Sequence, residues 1–157
     1  MQLTRQADYA IRALLHLSAA EPGNVVQTKE IASCEGIPEK YLPTIMRTLA
    51  RAGLVRTLRG NKGGVLLARG PEDINLREVI EAIEEPIMLN RCLREEGECS
   101  RESSCPVHPV WDRIQQTLID RLESTSFADL ASEKMSCEAG SSKGWEFSDS
   151  QRERIIA

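Results

Sequence analysis

Apolar residues recur at helical spacing three times in the first third of the chain. The first run predicts a helix over residues 4–19. The second predicts a short helix from Thr28 to near Gly36, and the third predicts a helix from Pro38 to Gly53. Two short helices joined by a tight turn are typical of a helix-turn-helix, whose second helix enters the major groove of DNA.

Two segments of β type follow the third helix, at residues 54–57 and 65–67. A glycine-rich tip joins them, and its residues are Arg59, Gly60, Asn61, Lys62, Gly63 and Gly64. Glycine allows positive φ angles and a close approach of the backbone to phosphate. The basic side chains of the tip are placed to meet phosphates or a narrow minor groove. This pattern predicts a wing; the alternative is a plain α/β core with a flexible hairpin.

The second half begins with a helix that Asn75 caps and that ends near Pro86. After the non-periodic residues 87–106, a long helix is predicted over residues 108–124. Its apolar stripe consists of Val107, Val110, Trp111, Ile114, Leu118 and Leu122. The stripe either packs on the helix's own core or forms a dimer seam. We favour the seam, because two-fold dimers place two recognition helices about one duplex turn apart.

The predicted fold is therefore mainly α with a small β-hairpin wing: a winged helix-turn-helix followed by a long dimerisation helix. We expect a DNA-binding domain at 1–70, a loop and dimerisation helix at 71–131, and a mobile tail at 132–157. One further helical turn is expected at 127–131. With 41% hydrophobic and 28% charged residues, the composition is globular and excludes a disordered chain.

Neither a membrane-spanning stretch nor a secretion signal is present in this sequence, so we expect a soluble cytoplasmic protein without a membrane partner.

The net charge of −4 is unevenly distributed. Residues 1–70 hold 10 Lys and Arg against 5 Asp and Glu, and residues 40–69 hold no acidic residue. Such asymmetry favours a polyanion-binding first half, although a solvated basic face is the alternative. No nucleophile–base pair or phosphate loop is found, so an enzyme is not expected.

Three of the five cysteines lie in the loop at 87–106, as Cys92, Cys99 and Cys105, and His108 extends the pattern. A loop of about twenty residues inside a compact domain is uncommon unless something functional organises it. Three thiolates and an imidazole can hold an iron–sulfur cluster or zinc. Free or disulfide-forming thiols are the alternative. RNA-binding zinc fingers of similar spacing need aromatic residues among the ligands to stack bases. No aromatic residue stands between Cys92 and His108, so we do not expect this loop to bind RNA.

Several motifs together resemble the IscR/NsrR-type (Rrf-two) bacterial transcription regulators. They are the three-cysteine loop, the glycine-rich tip, Tyr41-Leu42, Met1-Gln2-Leu3-Thr4 and Asp8-Tyr9-Ala10. The resemblance covers residues 1–131. It implies a homodimeric winged helix-turn-helix repressor or activator that binds palindromic double-stranded DNA. It also implies an iron–sulfur cluster that controls promoter binding in response to cluster supply, iron, nitric oxide or oxidative stress.

The resemblance also implies the cluster ligands. Cys92, Cys99 and Cys105 match the three cluster cysteines, although the first gap of six residues exceeds the five or fewer common in the family. His108 falls where IscR-like members place a histidine, which favours a 2Fe–2S cluster. Asp8 falls where some NsrR-like members supply a carboxylate from the partner subunit to a 4Fe–4S cluster. We favour His108, and Asp8 is alternatively an ordinary first-turn carboxylate.

On DNA, we expect Lys40, Tyr41 and Thr44 to contact bases and Arg47 to contact phosphate. The remaining expected DNA-binding residues are Thr28, Arg59, Gly60, Lys62 and Gly63. IscR-like proteins have a glutamate where Pro43 stands here, and that glutamate helps to choose between cluster-dependent and cluster-independent sites. Because Pro43 replaces that glutamate, we expect this chain to lack the switch between the two kinds of DNA site. A cluster-free regulator that senses through thiols, zinc, a metabolite or a partner protein is the alternative function.

Overall fold

The structure, a computed structural model, describes residues 2–60, 63–94 and 99–132. Lys62 and the predicted tail beyond residue 132, with Cys137, lie outside these ranges. In chain order the elements are α1 (Arg5–Ser18), α2 (Thr28–Glu35), α3 (Leu42–Arg51), β1 (Val55–Leu58), β2 (Gly64–Leu67), α4 (Leu76–Ile83), α5 (His108–Glu123) and α6 (Phe127–Ser132). None of the helices within the described ranges is long and apolar enough to cross a membrane.

The centre of the fold is α1. The Thr4 hydroxyl accepts a hydrogen bond from the Ala7 N–H at 3.3 Å, which satisfies one free donor of the first turn. The small buried residues Ala10 and Ala13 allow neighbouring helices to approach this one closely, and α1 contacts α2, α3, α4 and α6. Helix α1 therefore connects the helix-turn-helix with the second half of the chain.

The third helix starts later than the prediction from Pro38. Pro38 is extended, and residues Glu39–Tyr41 form a 3₁₀ turn before α3 begins at Leu42. Pro43 lacks an N–H group and cannot donate to the Glu39 carbonyl, whose partner is instead the Leu42 N–H in a 3₁₀ bond. The prediction of helix at Pro38 was wrong for this reason. Gly36, at φ 63°, ends α2 as expected.

The wing is the antiparallel pair of β1 and β2, which runs in register from Val55 opposite Leu67 to Leu58 opposite Gly64. Val65 also exchanges both backbone hydrogen bonds with Val26, at 2.8 and 2.9 Å. A Cβ on Gly64 would lie 2.4 Å from the Val26 carbonyl oxygen, so the close approach requires glycine there. This contact anchors the wing beside the start of α2.

The second half of the chain closes over α1. The Asn75 side chain accepts a hydrogen bond from the Glu78 N–H at 3.0 Å and caps α4 as predicted. The segment at 127–131, expected as one further turn, belongs to α6, which ends at Ser132. The Phe127 ring at its start is completely buried in the core. Helix α6 therefore packs onto α1 and joins the two halves of the chain.

Replacing Asn75 by alanine should lower the free energy of unfolding by about 1 kcal/mol, because the Glu78 N–H loses its acceptor. Chemical denaturation followed by circular dichroism measures the change. Asn75→Asp keeps an acceptor oxygen at the same position and serves as the matched control. An equal loss in both variants would contradict the capping role.

Candidate functional site

The cysteine-containing loop folds around a pocket of about 400 Å³ beside the start of α5. The residues that line it are Asn90, Arg91, Cys92, Cys99, Ser100, Cys105, His108 and Trp111. The candidate ligands Cys92, Cys99, Cys105 and His108 thus line one cavity, and each is partly buried. The lining also contains Arg91 and Trp111, which sequence reasoning did not assign to the site.

The first side of the pocket is held by hydrogen bonds to neighbouring elements. The Leu89 N–H donates to Gln115 Oε1 at 3.1 Å, which ties the loop to α5. The Asn90 side chain accepts a hydrogen bond from the Arg91 N–H at 2.8 Å and caps the 3₁₀ turn Arg91–Leu93. Cys92 lies within this capped turn, so its position follows from the anchored chain around it.

Cys105 and His108 form the opposite side. The His108 N–H donates to the Cys105 carbonyl at 3.2 Å, so one turn of chain carries both residues. His108 is the first residue of α5, which fixes the imidazole at the base of the long helix. Cys99 enters the pocket after residues 95–98, which the structure does not describe.

The donor chemistry of this pocket fits an iron–sulfur cluster. Cys92, Cys99 and Cys105 are free thiols, and thiolates with an imidazole are the ligands that such clusters use. Among the described residues, no three His, Cys, Asp or Glu side chains converge as they would around a single metal ion. The protein ligands of a cluster are distributed over two or more irons, which suits side chains spread around a cavity.

Asp8 occupies a different place. Its carboxylate pairs with the Arg12 guanidinium, with an Oδ2–Nη2 distance of 2.8 Å and an Oδ1–Nε distance of 3.2 Å. Asp8 is not among the described residues that line the pocket of its own chain. In this chain it is a first-turn carboxylate with a near neighbour of opposite charge.

A second, larger groove of about 980 Å³ lies between α2, α3 and the wing. The predicted DNA-binding residues at its edge are Thr28, Arg47, Arg59, Gly60 and Gly63. Lys29 and Arg51 also line it, and no acidic side chain is among its described lining residues. These two were absent from the predicted DNA contacts, although Arg51 belongs to the basic run and Lys29 follows Thr28 in the first turn of α2.

Lys40, Tyr41 and Thr44 lie outside the lining of that groove but are exposed at the start of the recognition segment. The Lys40 ammonium lies 5.1 Å from the centre of the Tyr41 ring. The Tyr41 ring also lies 5.7 Å from the Tyr9 ring of α1, between centroids. The predicted base-contacting residues are thus grouped at one edge of the helix-turn-helix.

The first half of the apolar stripe of α5, from Val107 to Ile114, is exposed. Ile114 is 46% exposed and Val110 is 52% exposed, and no residue of α5 is buried. Within this chain, Leu118 and Leu122 are partly buried, so packing against α4 covers the second half of the stripe better than the first. At its other end α5 is fixed by Arg77 of α4, whose guanidinium donates to Glu123 and Glu81. These hydrogen bonds, first that to Glu123, raise the pKa of Arg77.

Comparison with known proteins finds the Rrf2 family, described as iron-dependent transcriptional regulators, over residues 3–133. The transcriptional regulator NsrR of Shouchella clausii is 31% identical over 131 residues, which cover 83% of this chain and 88% of the relative. Among solved structures, CymR, the global cysteine regulator of B. subtilis, is 28% identical with a TM-score of 0.71, covering 86% of this chain and 99% of CymR. IscR of T. potens is 26% identical with a TM-score of 0.67, and the match covers 92% of this chain and 94% of IscR. The predicted winged-helix fold is confirmed.

Proposed function

The chain belongs to the Rrf2 family of transcriptional regulators, and from this premise we propose that an iron–sulfur cluster in its cysteine pocket controls its promoter binding. It is a DNA-binding regulator and not an enzyme. Its partners in this proposal are a palindromic DNA duplex and a second copy of the chain, and it works in the cytoplasm, where promoters are found.

The observation that carries the proposal is the common pocket of Cys92, Cys99, Cys105 and His108. We favour a 2Fe–2S cluster with these four residues as ligands, because His108 shares one turn with Cys105 and lines the same cavity. When bound, the cluster supplies redox chemistry and reactivity towards nitric oxide and oxidants. The alternative is a 4Fe–4S cluster with Asp8 of the second copy as the fourth ligand. That alternative requires Asp8 to leave its pair with Arg12.

The loop is connected to the DNA-binding half through two helices. Gln115 holds the loop on α5, and Arg77 joins α5 to α4, which in turn packs on α1 and α3. The four residues, when they hold a cluster, would fix the loop to α5, and loss of the cluster would release the loop from that constraint. The relative setting of the two wings in the dimer then changes. A coupling of about 1–3 kcal/mol alters DNA affinity roughly 5- to 150-fold.

Sensing by free thiols is the second candidate function, and one observation favours it. Cys92, Cys99 and Cys105 are partly buried free thiols that line the same cavity, so oxidation of neighbouring cysteines is chemically feasible without a metal. In this case the cavity would contain no iron, and disulfide formation would take the place of cluster loss. Zinc bound by the same residues, or a metabolite in the cavity, would also replace the cluster.

Purification without oxygen, followed by visible absorption and counts of iron, sulfide and zinc per chain, separates these functions. We expect broad visible absorption with about two iron and two sulfide per chain. About four of each would move the fourth ligand to Asp8 of the second copy. A colourless protein that binds DNA would contradict the cluster. One zinc per chain in that protein would make the loop a structural zinc site. Reversible oxidation of its thiols would instead support thiol sensing.

Arg59→Ala should weaken DNA binding and reduce the slope of log affinity against log salt by about one, because Arg59 lines the basic groove and meets a phosphate in our proposal. Titration of a promoter duplex at several salt concentrations measures both quantities. Arg56→Ala is the matched control, since Arg56 is exposed on β1 but does not line the groove. An unchanged slope in Arg59→Ala would place the wing away from the DNA.

A further inference from the structure

The helix α1 touches the recognition segment through a pair of aromatic rings. The Tyr9 and Tyr41 ring centroids are 5.7 Å apart, and the ring planes are tilted by 38°. Tyr9 is partly buried and packs against the core, whereas Tyr41 is 37% exposed. One member of the pair is therefore fixed by the core, and the other faces the side on which DNA is expected.

The backbone of the segment that carries Tyr41 is held by 3₁₀ hydrogen bonds. The segment is the 3₁₀ turn Glu39–Tyr41, in which the Tyr41 N–H donates to the Pro38 carbonyl at 3.0 Å. Short 3₁₀ turns have weaker hydrogen-bond geometry than α-helices, and no side chain caps the start of α3. The direction of the Tyr41 side chain therefore depends strongly on the ring that it packs against.

Lys40 extends this arrangement towards the surface. Its ammonium lies 5.1 Å from the centre of the Tyr41 ring, within the distance at which a cation is attracted to an aromatic face. The three side chains follow one another from the core outwards: Tyr9, then Tyr41, then Lys40. A displacement of Tyr9 would change the positions of Tyr41 and Lys40, two of the three side chains that were expected to contact bases.

We propose that Tyr9 is a positioning residue for sequence-specific DNA recognition, and that it acts by holding Tyr41, and through it Lys40, in the conformation that contacts bases. This role requires only DNA binding, so it stands or falls independently of the cluster. Since α1 also contacts α4 and α6, Tyr9 lies on a direct physical connection between the second half of the chain and the recognition segment.

The test uses the full-length protein and a duplex selected by it from a randomised pool, with a scrambled duplex of equal length and composition as reference. Tyr9→Leu should bind the selected duplex roughly three- to tenfold more weakly, as expected for loss of an aromatic contact. Binding to the scrambled duplex and the salt slope should stay the same, because the number of phosphate contacts does not change. Tyr9→Phe, which keeps the ring, should retain specific binding.

Several controls make the outcome decisive. Gln6→Ala changes an exposed residue on the same helix and should have no effect. If thermal unfolding shows that Tyr9→Leu does not fold, Tyr9→Met, which fills the space without a ring, replaces it. A loss in Tyr9→Phe equal to that in Tyr9→Leu would place the Tyr9 hydroxyl on the DNA and overturn the positioning role. An equal loss on both duplexes, or no loss, would also overturn it.

Discussion

Replacing Cys92 by alanine is expected to yield a folded protein without iron or sulfide, whose affinity for promoter DNA differs roughly 5- to 150-fold from that of the parent protein. Cys92 lies in the capped turn at the edge of the pocket, so its removal takes away one of four donors. It is only partly buried, and alanine at this position leaves the core residues in place. The change in DNA affinity would thus come from the loop and not from unfolding.

Cys34→Ala provides the control for this experiment. Cys34 is also a partly buried cysteine, but it lies on α2 and not in the pocket lining. Iron and sulfide content, visible absorption and DNA affinity are measured for both variants in the absence of oxygen. A Cys92→Ala protein with no iron but with the parent's DNA affinity would show that the pocket does not control DNA binding.

Ile114→Glu should convert the protein to a monomer. Its binding to a palindromic duplex should weaken by about 10²- to 10⁴-fold. Ile114 is 46% exposed in the middle of the apolar stripe of α5, where a carboxylate would have to be buried between two copies. A monomer engages one half-site only and loses the advantage of two linked contacts. Analytical ultracentrifugation reports the oligomeric state, and titration of the duplex reports the affinity.

Gln116→Glu adds the same charge to the same helix, two residues away, on the side opposite the stripe. Gln116 is exposed, and this variant should remain a dimer with the parent's affinity. If Ile114→Glu also remained a dimer, the stripe of α5 would not be the interface. If both variants became monomers, the effect would come from the charge of the helix and not from its apolar face.

The sequence predicts the helices and the wing well where the spacing of apolar residues and local turn or capping residues determine them. The buried stripe of α3, the Asn75 cap and the pairing of two short strands around a glycine-rich tip all follow from local pattern. The 3₁₀ turn before α3 was missed because it depends on the missing N–H of Pro43 and not on hydrophobic spacing. Phe127 was missed as a core residue because its partners, on α1 and near Ile74, are distant in the sequence.

The family membership predicted from the motifs is confirmed, whereas the site residues remain predictions. Spacing alone indicated that Cys92, Cys99, Cys105 and His108 act together, and the structure places them around one pocket. The spacing could not indicate that Arg91 and Trp111 also line the pocket. The path of a non-periodic loop depends on tertiary hydrogen bonds, such as the one from the Leu89 N–H to Gln115. The contact of Tyr9 with Tyr41 is likewise a tertiary feature.

The most direct test of cluster control compares one preparation of the protein with its cluster intact and after the cluster has been removed by chelation under a reductant. Both forms are titrated with the same selected duplex in the absence of oxygen, and circular dichroism verifies that both are folded. The account predicts that the two affinities differ by at least about fivefold and that reassembly of the cluster restores the first value. Equal affinities of the two folded forms would contradict it.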